Sequence, residues 1–333
     1  MRVSTKKDKI EELIRKFPDA SSKSIGEMAY KQNPMLFKNS EQARTEVRRL
    51  RGRNGRDHRR WATQAPSPFT TRPIVEDDFP EGKEQSTGWG PVQFDGPLNA
   101  LILSDVHIPY HYKPVITAAI EYGRKHQADF ILLNGDICDF YAASRWQTDP
   151  KQRDLKGELE ATRAFLRLLR KKFPKAKIVF KEGNHEERWS RWLIDKAEIA
   201  YGVPDFELEQ LLRLHDLGIQ LAKDKRPIRL GDLNVIHGHE YRFNISNPVN
   251  PARGFFLKCR APVLGGHMHQ KSEHSGGTIE GRIIAAWSTG CACDLHPIYA
   301  PMNEWSHGFA FVRVQKDGKF TVRNMVFKGG ELY

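Results

Sequence analysis

Five short apolar runs in this chain each open into a turn that carries Asp, Asn or His. Leu101-Ile102-Leu103 leads to Asp105-x-His107, and Phe130-Ile131-Leu132-Leu133 leads to Gly135-Asp136-x-x-Asp139. Ile178-Val179-Phe180 leads to Gly183-Asn184-His185-Glu186, Val235-Ile236 to His237-Gly238-His239, and Val263-Leu264 to Gly266-His267-x-His269. An apolar run ending in such a turn reads as a buried strand that delivers a polar side chain to a sheet edge. A single Gly-Asp turn is commonplace and means little. Five junctions of one form in series describe a site.

Aspartate, asparagine and histidine offer oxygen and nitrogen donors of intermediate hardness. Without cysteine in the set they suit Mn²⁺, Fe or Zn²⁺ better than Ca²⁺. The donors outnumber what one ion needs. Two ions sharing a carboxylate such as Asp136, one oxygen to each, would lie ~3.5–4 Å apart, the spacing used for in-line attack at phosphorus. A nearby imidazole could protonate the leaving oxygen.

In this order the motifs resemble the calcineurin-like metallophosphoesterase superfamily, over roughly 98–287, and their layout is similar to SbcD-type nucleases and to phage and bacterial metallophosphoesterases. The resemblance implies that Asp105, His107, Asp136 and His269 hold one metal, and that Asp136, Asn184, His237 and His267 hold the other. It further implies attack by a metal-bridged water, with His185 as general acid and Glu186 as the group that orients it. Two divalent ions are expected, Mn²⁺ first, with Fe, Zn²⁺, Ni²⁺ or Co²⁺ as alternatives. Asp139 and His239 read as supporting or substrate-facing residues. Relatives that resemble protein serine/threonine phosphatases carry arginine directly after the second aspartate of the Gly-Asp motif, where this chain has Phe140-Tyr141 and reaches a basic residue only at Arg145.

The elements that must position these residues follow from periodicity. From Leu98 onward strands and helices alternate: a helix from Pro114 to His126, a longer one through Leu155, Leu159, Leu166 and Leu169 to Phe173, and further helices over Glu186–Ala197 and Phe206–His215. His267 and His269 alternate along what reads as an extended segment, which puts both on one face. Later the pattern turns to strands, at Ile283–Trp287, Phe309–Gln315 and Phe320–Phe327, the last two joined by a turn at Asp317-Gly318. This predicts an α/β fold, a four-layer α/β/β/α sandwich with mixed sheets, over 98–333.

Two further segments precede it. Residues 61–97 are rich in proline and read as a linker. Residues 1–60 read as three short helices. Thr5 and Asp8 form a cap of the first, whose apolar face is Ile10, Leu13, Ile14 and Phe17; the second opens at Ser21 or Ser22; Asn39 and Gln42 cap the third. This segment holds 17 Lys/Arg against 8 Asp/Glu, while the remaining residues hold 36 against 33, so most of the net charge of +12 lies here. Arg44, Arg48, Arg49, Arg51 and Arg53 crowd the third helix and its exit. A small all-α, helix-turn-helix or winged-helix-like module that binds DNA is the expectation.

The four cysteines show no disulfide framework, no apolar stretch reaches the ~20 residues of a membrane span, and the first residues carry no secretory pattern. A cytoplasmic protein of a bacterium or a phage-infected cell is expected, without a membrane partner; a homo-oligomer or a partner subunit is compatible with the sequence. Tyr141, Arg145, Trp146, Arg188, Arg191 and Trp192 crowd the loops after the metal motifs, where rings interleaved with cations suit bases and sugar-phosphates. The first functional expectation is therefore a DNA phosphodiesterase, a nuclease. The alternatives are a phosphomonoesterase, small-nucleotide or protein phosphatase of the same superfamily, or a DNA-binding regulator whose metal site is not catalytic.

Overall fold

The computed structural model describes residues 5–52, 82, 89–241 and 249–333. The chain divides into two compact units, Met1–Gln85 and Ser86–Tyr333.

The N-terminal unit contains α1 (Lys6–Lys16), α2 (Ser22–Gln32) and α3 (Ser40–Arg51). Thr5 and Asp8 make a reciprocal cap of α1, Ser21 caps α2, and Asn39 caps α3 through the Gln42 amide. Ile10, Leu13 and Ile14 of α1 pack against Ile25 and Ala29 of α2 and Ala43, Val47 and Leu50 of α3. Phe17, expected on the apolar face, follows the last turn of α1 and is exposed. A Cβ on Gly26 would lie 2.7 Å from the Arg44 backbone nitrogen, so α2 and α3 approach as closely as they do only because glycine stands there. Residues 33–39 link the two helices, a longer turn than the roughly three or four residues of the simplest helix-turn-helix. Arg53, Arg56, Arg59 and Arg60 lie outside the described residues.

The second unit is built on two sheets. One runs, in spatial order, β13 (Glu331–Leu332), β12 (Phe320–Lys328), β11 (Gly308–Val314), β2 (Leu98–Leu103), β3 (Phe130–Asn134), β4 (Lys177–Lys181) and β5 (Ile219–Ala222). The other runs β1 (Val92–Phe94), β6 (Ile228–Leu230), β7 (Leu233–Ile236), β8 (Val263–Gly265), β10 (Ile283–Ser288) and β9 (Ser272–Gly277). Both are mixed: β2 to β5 are parallel while β11 pairs antiparallel with β2, and β7, β8 and β10 are parallel while β9 is antiparallel.

Side-chain alternation makes the layers. Ala100 and Ile102 of β2, Phe130 and Leu132 of β3, and Val179 of β4 face the second sheet, where Leu230, Leu233, Val235 and Leu264 meet them. Their neighbours Leu101, Leu103, Ile131, Leu133, Ile178 and Phe180 face the opposite way, toward α4 (Lys113–Lys125) and α5 (Leu155–Lys172). On the outer face of the second sheet, Phe255 and Ala252 of α8 (Pro251–Cys259) cover Ile236, Val263 and Ala286. The result is helix, sheet, sheet, helix, as expected.

Two expectations are corrected. Only α7 (Leu208–Leu211) forms within 206–215, because Arg213 adopts a φ of 54° and breaks the turn. Part of the stretch read as linker is β1, which pairs in parallel with β6 and buries Phe94 between the sheets.

Candidate metal centre

The five polar turns meet at the carboxyl ends of β2, β3 and β4 from one sheet and β7 and β8 from the other. Asn134 ties the two edges together. Its side-chain amide donates to Ser104 Oγ at 3.1 Å and to the Ile236 carbonyl at 2.8 Å, and its own carbonyl lies 2.8 Å from His237 Nδ1. The structure therefore brings together all seven residues expected as metal ligands.

They form two groups that share Asp136. Asp105, His107, Asp136 and His269 converge in one, and Asp136, His237 and His267 in the other. In the first, His107 Nε2 and His269 Nε2 face each other at 3.1 Å, and Asp105 Oδ1 lies 3.2 Å from His269 Nε2. In the second, His237 Nε2 lies 3.2 Å from both Asp136 Oδ2 and Asn184 Oδ1. Asp136 does not give one oxygen to each group. Its Oδ1 accepts the His185 amide at 2.9 Å, and Oδ2 faces His237 and, at 3.8 Å, His107.

This donor set fits divalent cations. His107 Nδ1 faces Asp139 Oδ1 at 3.0 Å and His237 Nδ1 faces a carbonyl, so each Nδ1 carries the hydrogen and each Nε2 is left as a lone pair aimed into the site. Lone pairs and carboxylate oxygens then point at one another, an arrangement that only a cation or extra protons can satisfy. Burial disfavours a charged imidazole here, yet Asp136 outweighs it and holds His237 up at about 10, while Asp105 holds His269 at about 8. His267, half-buried beside His237, is driven down to about 4 by desolvation and by that neighbour's charge. Protons at His237 and His269 occupy the places a cation would take, and cation binding must displace them.

The backbone is unusual where it matters. Asp105, His107, Asp136, His267 and His269 all have positive φ, between 49° and 67°. His267 and His269 are therefore not on an extended segment; each sits in its own left-handed turn, and they serve different groups. Gly183 is required by contact, since a Cβ there would lie 2.2 Å from Asp136 Oδ1. Gly266 is held likewise, with Asp105 Oδ2 2.7 Å from such a Cβ.

His185 stands at the N-terminus of α6 (Glu186–Lys196), with Nε2 3.8 Å from Asp136 Oδ2. What orients it is Asp139, whose carbonyl and Oδ1 lie 2.9 and 3.1 Å from Nδ1. Arg188 Nη2 approaches His185 Nε2 at 2.7 Å, and Nη1 donates to the Asp139 carbonyl at 3.0 Å. Glu186, expected to orient His185, instead spends both oxygens on backbone amides. It accepts from Asp136, Ile137, Cys138 and Gly183 at 2.8–2.9 Å and so shapes the turn that presents Asp136. It is buried and is a positioning residue.

His239 does not enter either group. Its Nε2 lies 2.8 Å from Glu187 Oε1, and its ring packs 5.2 Å from that of His237. Cys138 is packed in the core, and Cys291 and Cys293 are buried without a second pair. Cys293 Sγ sits 3.8 Å from His269 Nδ1, behind the ring. Tyr141 is anchored through its hydroxyl, which accepts the Asp149 amide at 3.0 Å, and Arg145 lies 4.9 Å over the Trp146 ring. Phe140 and Trp189, in the same aromatic cluster, are core residues.

Sequence reasoning missed several residues that hold the site. Lys181, buried, pairs with Glu240 at 2.9 Å, and Glu240 accepts the His237 and Gly238 amides at 2.9 and 2.6 Å. Lys181 and the nearby imidazoles overcome the burial of the Glu240 carboxyl and hold it down to about 2. Glu158 accepts the Phe140 and Tyr141 amides, and burial pushes its carboxyl up to about 8. Trp305 packs its ring 4.1 Å from that of His269. A lysine closing an apolar strand was the one available signal, since Lys181 directly follows Ile178-Val179-Phe180.

Beside the centre lies a cavity of about 520 Å³, lined by Arg145, Trp146, Arg188, Arg191 and Trp192 and opening onto Asn184 and His267. In the N-terminal unit Arg44, Arg48 and Arg51 line a separate hollow with Ser21, Ser22 and Lys23. Arg51 there donates to the carbonyls of Ala20 and Pro18, Arg44 pairs with Glu41 at 3.1 Å, and Arg49 pairs with Glu46 at 2.8 Å.

A two-sheet sandwich with a candidate two-metal donor set at its edge is the architecture of a metallophosphoesterase. The profile of the calcineurin-like phosphoesterases matches residues 98–271, and the chain belongs to that family. It is similar to the Gene 54 protein of Mycobacterium phage L5, 26% identical over 178 residues, covering 51% of this chain and 69% of that protein. The Gene 54 protein of Mycobacterium phage D29 is 24% identical, with the same coverage. Among solved structures, vacuolar protein sorting 29 of Cryptosporidium parvum is 14% identical, with a TM-score of 0.38 over 74% of this chain and 95% of its own. YfcE, a phosphoesterase from E. coli, is 14% identical, with a TM-score of 0.31 over 68% and 99%. Among the described residues no helix is long and apolar enough to cross a membrane.

Proposed function

We propose that this chain is a two-metal phosphodiesterase that cleaves DNA, with its basic N-terminal helices as the DNA-binding module. The observation that carries this reading is the groove of arginines and tryptophans running into the metal centre. A small phosphomonoester needs no such extended wall, whereas a polynucleotide offers a phosphate to each guanidinium and a base to each ring. The phage origin of the relatives fits an enzyme that works inside an infected bacterium.

Divalent ions, Mn²⁺ first, would be held by Asp105, His107, Asp136 and His269 and by Asp136, Asn184, His237 and His267, and would activate water and neutralise phosphoryl charge. The chain's own residues do the rest. Arg188 turns from His185 to a phosphoryl oxygen when substrate enters, which frees Nε2. Asp139 holds the ring through Nδ1; the freed Nε2 takes up a proton from solvent and gives it to the departing sugar oxygen.

The test is Mn²⁺-dependent cleavage of labelled DNA, beside His185→Ala with its metal content measured. DNA cleavage that falls roughly 10²–10⁴-fold in the variant, at unchanged metal content, supports the reading. DNA left intact while p-nitrophenyl phosphate is hydrolysed would hand the site to a phosphomonoesterase.

A further inference from the structure

A loop after Asp294 carries three large apolar side chains in the open. Ile298, Tyr299 and Met302 are 87%, 74% and 94% exposed. The loop is nonetheless fixed. Asn303 donates its side-chain amide to the carbonyls of Leu295 at 2.6 Å and Ala300 at 2.8 Å, and accepts the Trp305 amide at 2.9 Å. The Ser306 amide then donates to the carbonyl of His269 at 2.9 Å, so the loop is riveted to a candidate metal ligand.

The rings form a relay from that ligand outward. Trp305 lies against His269, and Tyr299 lies 6.3 Å from Trp305 in an edge-on arrangement. Desolvation of the Tyr299 hydroxyl end and the charge of Asp139 raise its pKa, with Arg188 also within reach of its field. Through Trp305 the ring is linked to the candidate metal ligand His269 while it stays open to solvent. An exposed ring held rigid beside a phosphoester centre is a preformed stacking surface.

We propose that the unpaired base of a nucleotide next to the scissile phosphate stacks on Tyr299, so that the enzyme selects single-stranded or frayed nucleic acid over intact duplex. This rests on the nucleic-acid reading above. Base faces inside a duplex are covered by their neighbours and have nothing to offer Tyr299; only a splayed strand exposes one. The groove, lined by Arg188 and by Trp146, which is 67% exposed, offers a second ring.

The test uses the full chain with Mn²⁺ and one sequence as single strand and as blunt duplex. The single strand also carries 2-aminopurine, whose fluorescence is quenched when it stacks. The expected result is a lower KM for the single strand, with quenching in the wild type and in Tyr299→Phe. Tyr299→Ala should lose the quenching and raise KM about tenfold or more, in line with the worth of one base stack. Equal KM for strand and duplex, or a Tyr299→Ala that quenches and cleaves like wild type, overturns the inference and leaves the nuclease standing. If no DNA is cut while p-nitrophenyl phosphate is hydrolysed, the nuclease reading itself fails and this inference falls with it.

Discussion

In the N-terminal helices Arg44 and Arg49 each pair with a glutamate three residues away on the same helix, on an exposed face. At the metal centre Asp136, Asp139 and Glu240 are paired with partners from distant strands and turns, out of solvent. Exposed local pairs contribute about 0–1 kcal/mol and exchange readily for a phosphate. Buried pairs are expensive to break and hold geometry to fractions of an ångström. The first kind of pair can be exchanged and the second cannot, a contrast that suits the proposed division of labour between tether and catalyst.

Substitutions should separate the two behaviours. The largest effect is expected from Asp136→Asn, since this side chain is common to both donor groups. Hydrolysis of any phosphoester should fall to background and metal content should drop, read by elemental analysis of the purified protein; retention of full metal content would refute the shared-carboxylate geometry. Next comes Lys181→Met, which takes the lysine away from the Glu240 carboxylate and should cost about 3–5 kcal/mol in thermal or denaturant unfolding. The sign with pH follows from Glu240, held at about 2 against an ordinary 4.5. Its stabilisation is complete above 4.5 and is lost as pH falls toward 2, so the gap between wild type and variant should close on acidification. The smallest effect belongs to Arg48→Ala: a few-fold loss of DNA affinity, and a salt dependence of log affinity shallower by about one. A loss as steep as that at the centre would mean that Arg48 is a fixed structural cation, which would erase the contrast.

The donor residues were legible because each lies at the end of an apolar run, and a strand end is a local property of sequence. The alternating layers were legible for the same reason: Leu101 and Ile102 must part to opposite faces of one strand. The residues that hold the donors were not. Lys181 and Glu240, Asn134 and Ile236, and Trp305 and His269 meet only because two sheets come edge to edge, and no window of sequence contains both members of any pair. The helix expected over 206–215 failed for a local reason, the reversal of the chain at Arg213. The reading of His267 and His269 as extended failed because the site demands a turn at each.

That demand has a thermodynamic direction. A side chain in a left-handed turn costs roughly 1–2 kcal/mol, less for aspartate, and five of the seven donors sit in one. Glycine at any of the three histidine positions would relieve the backbone. Removing a donor is thus downhill in backbone free energy, and each turn persists because the packing around it leaves it no other conformation. The edge that carries the donors is therefore also where this fold stores its backbone strain.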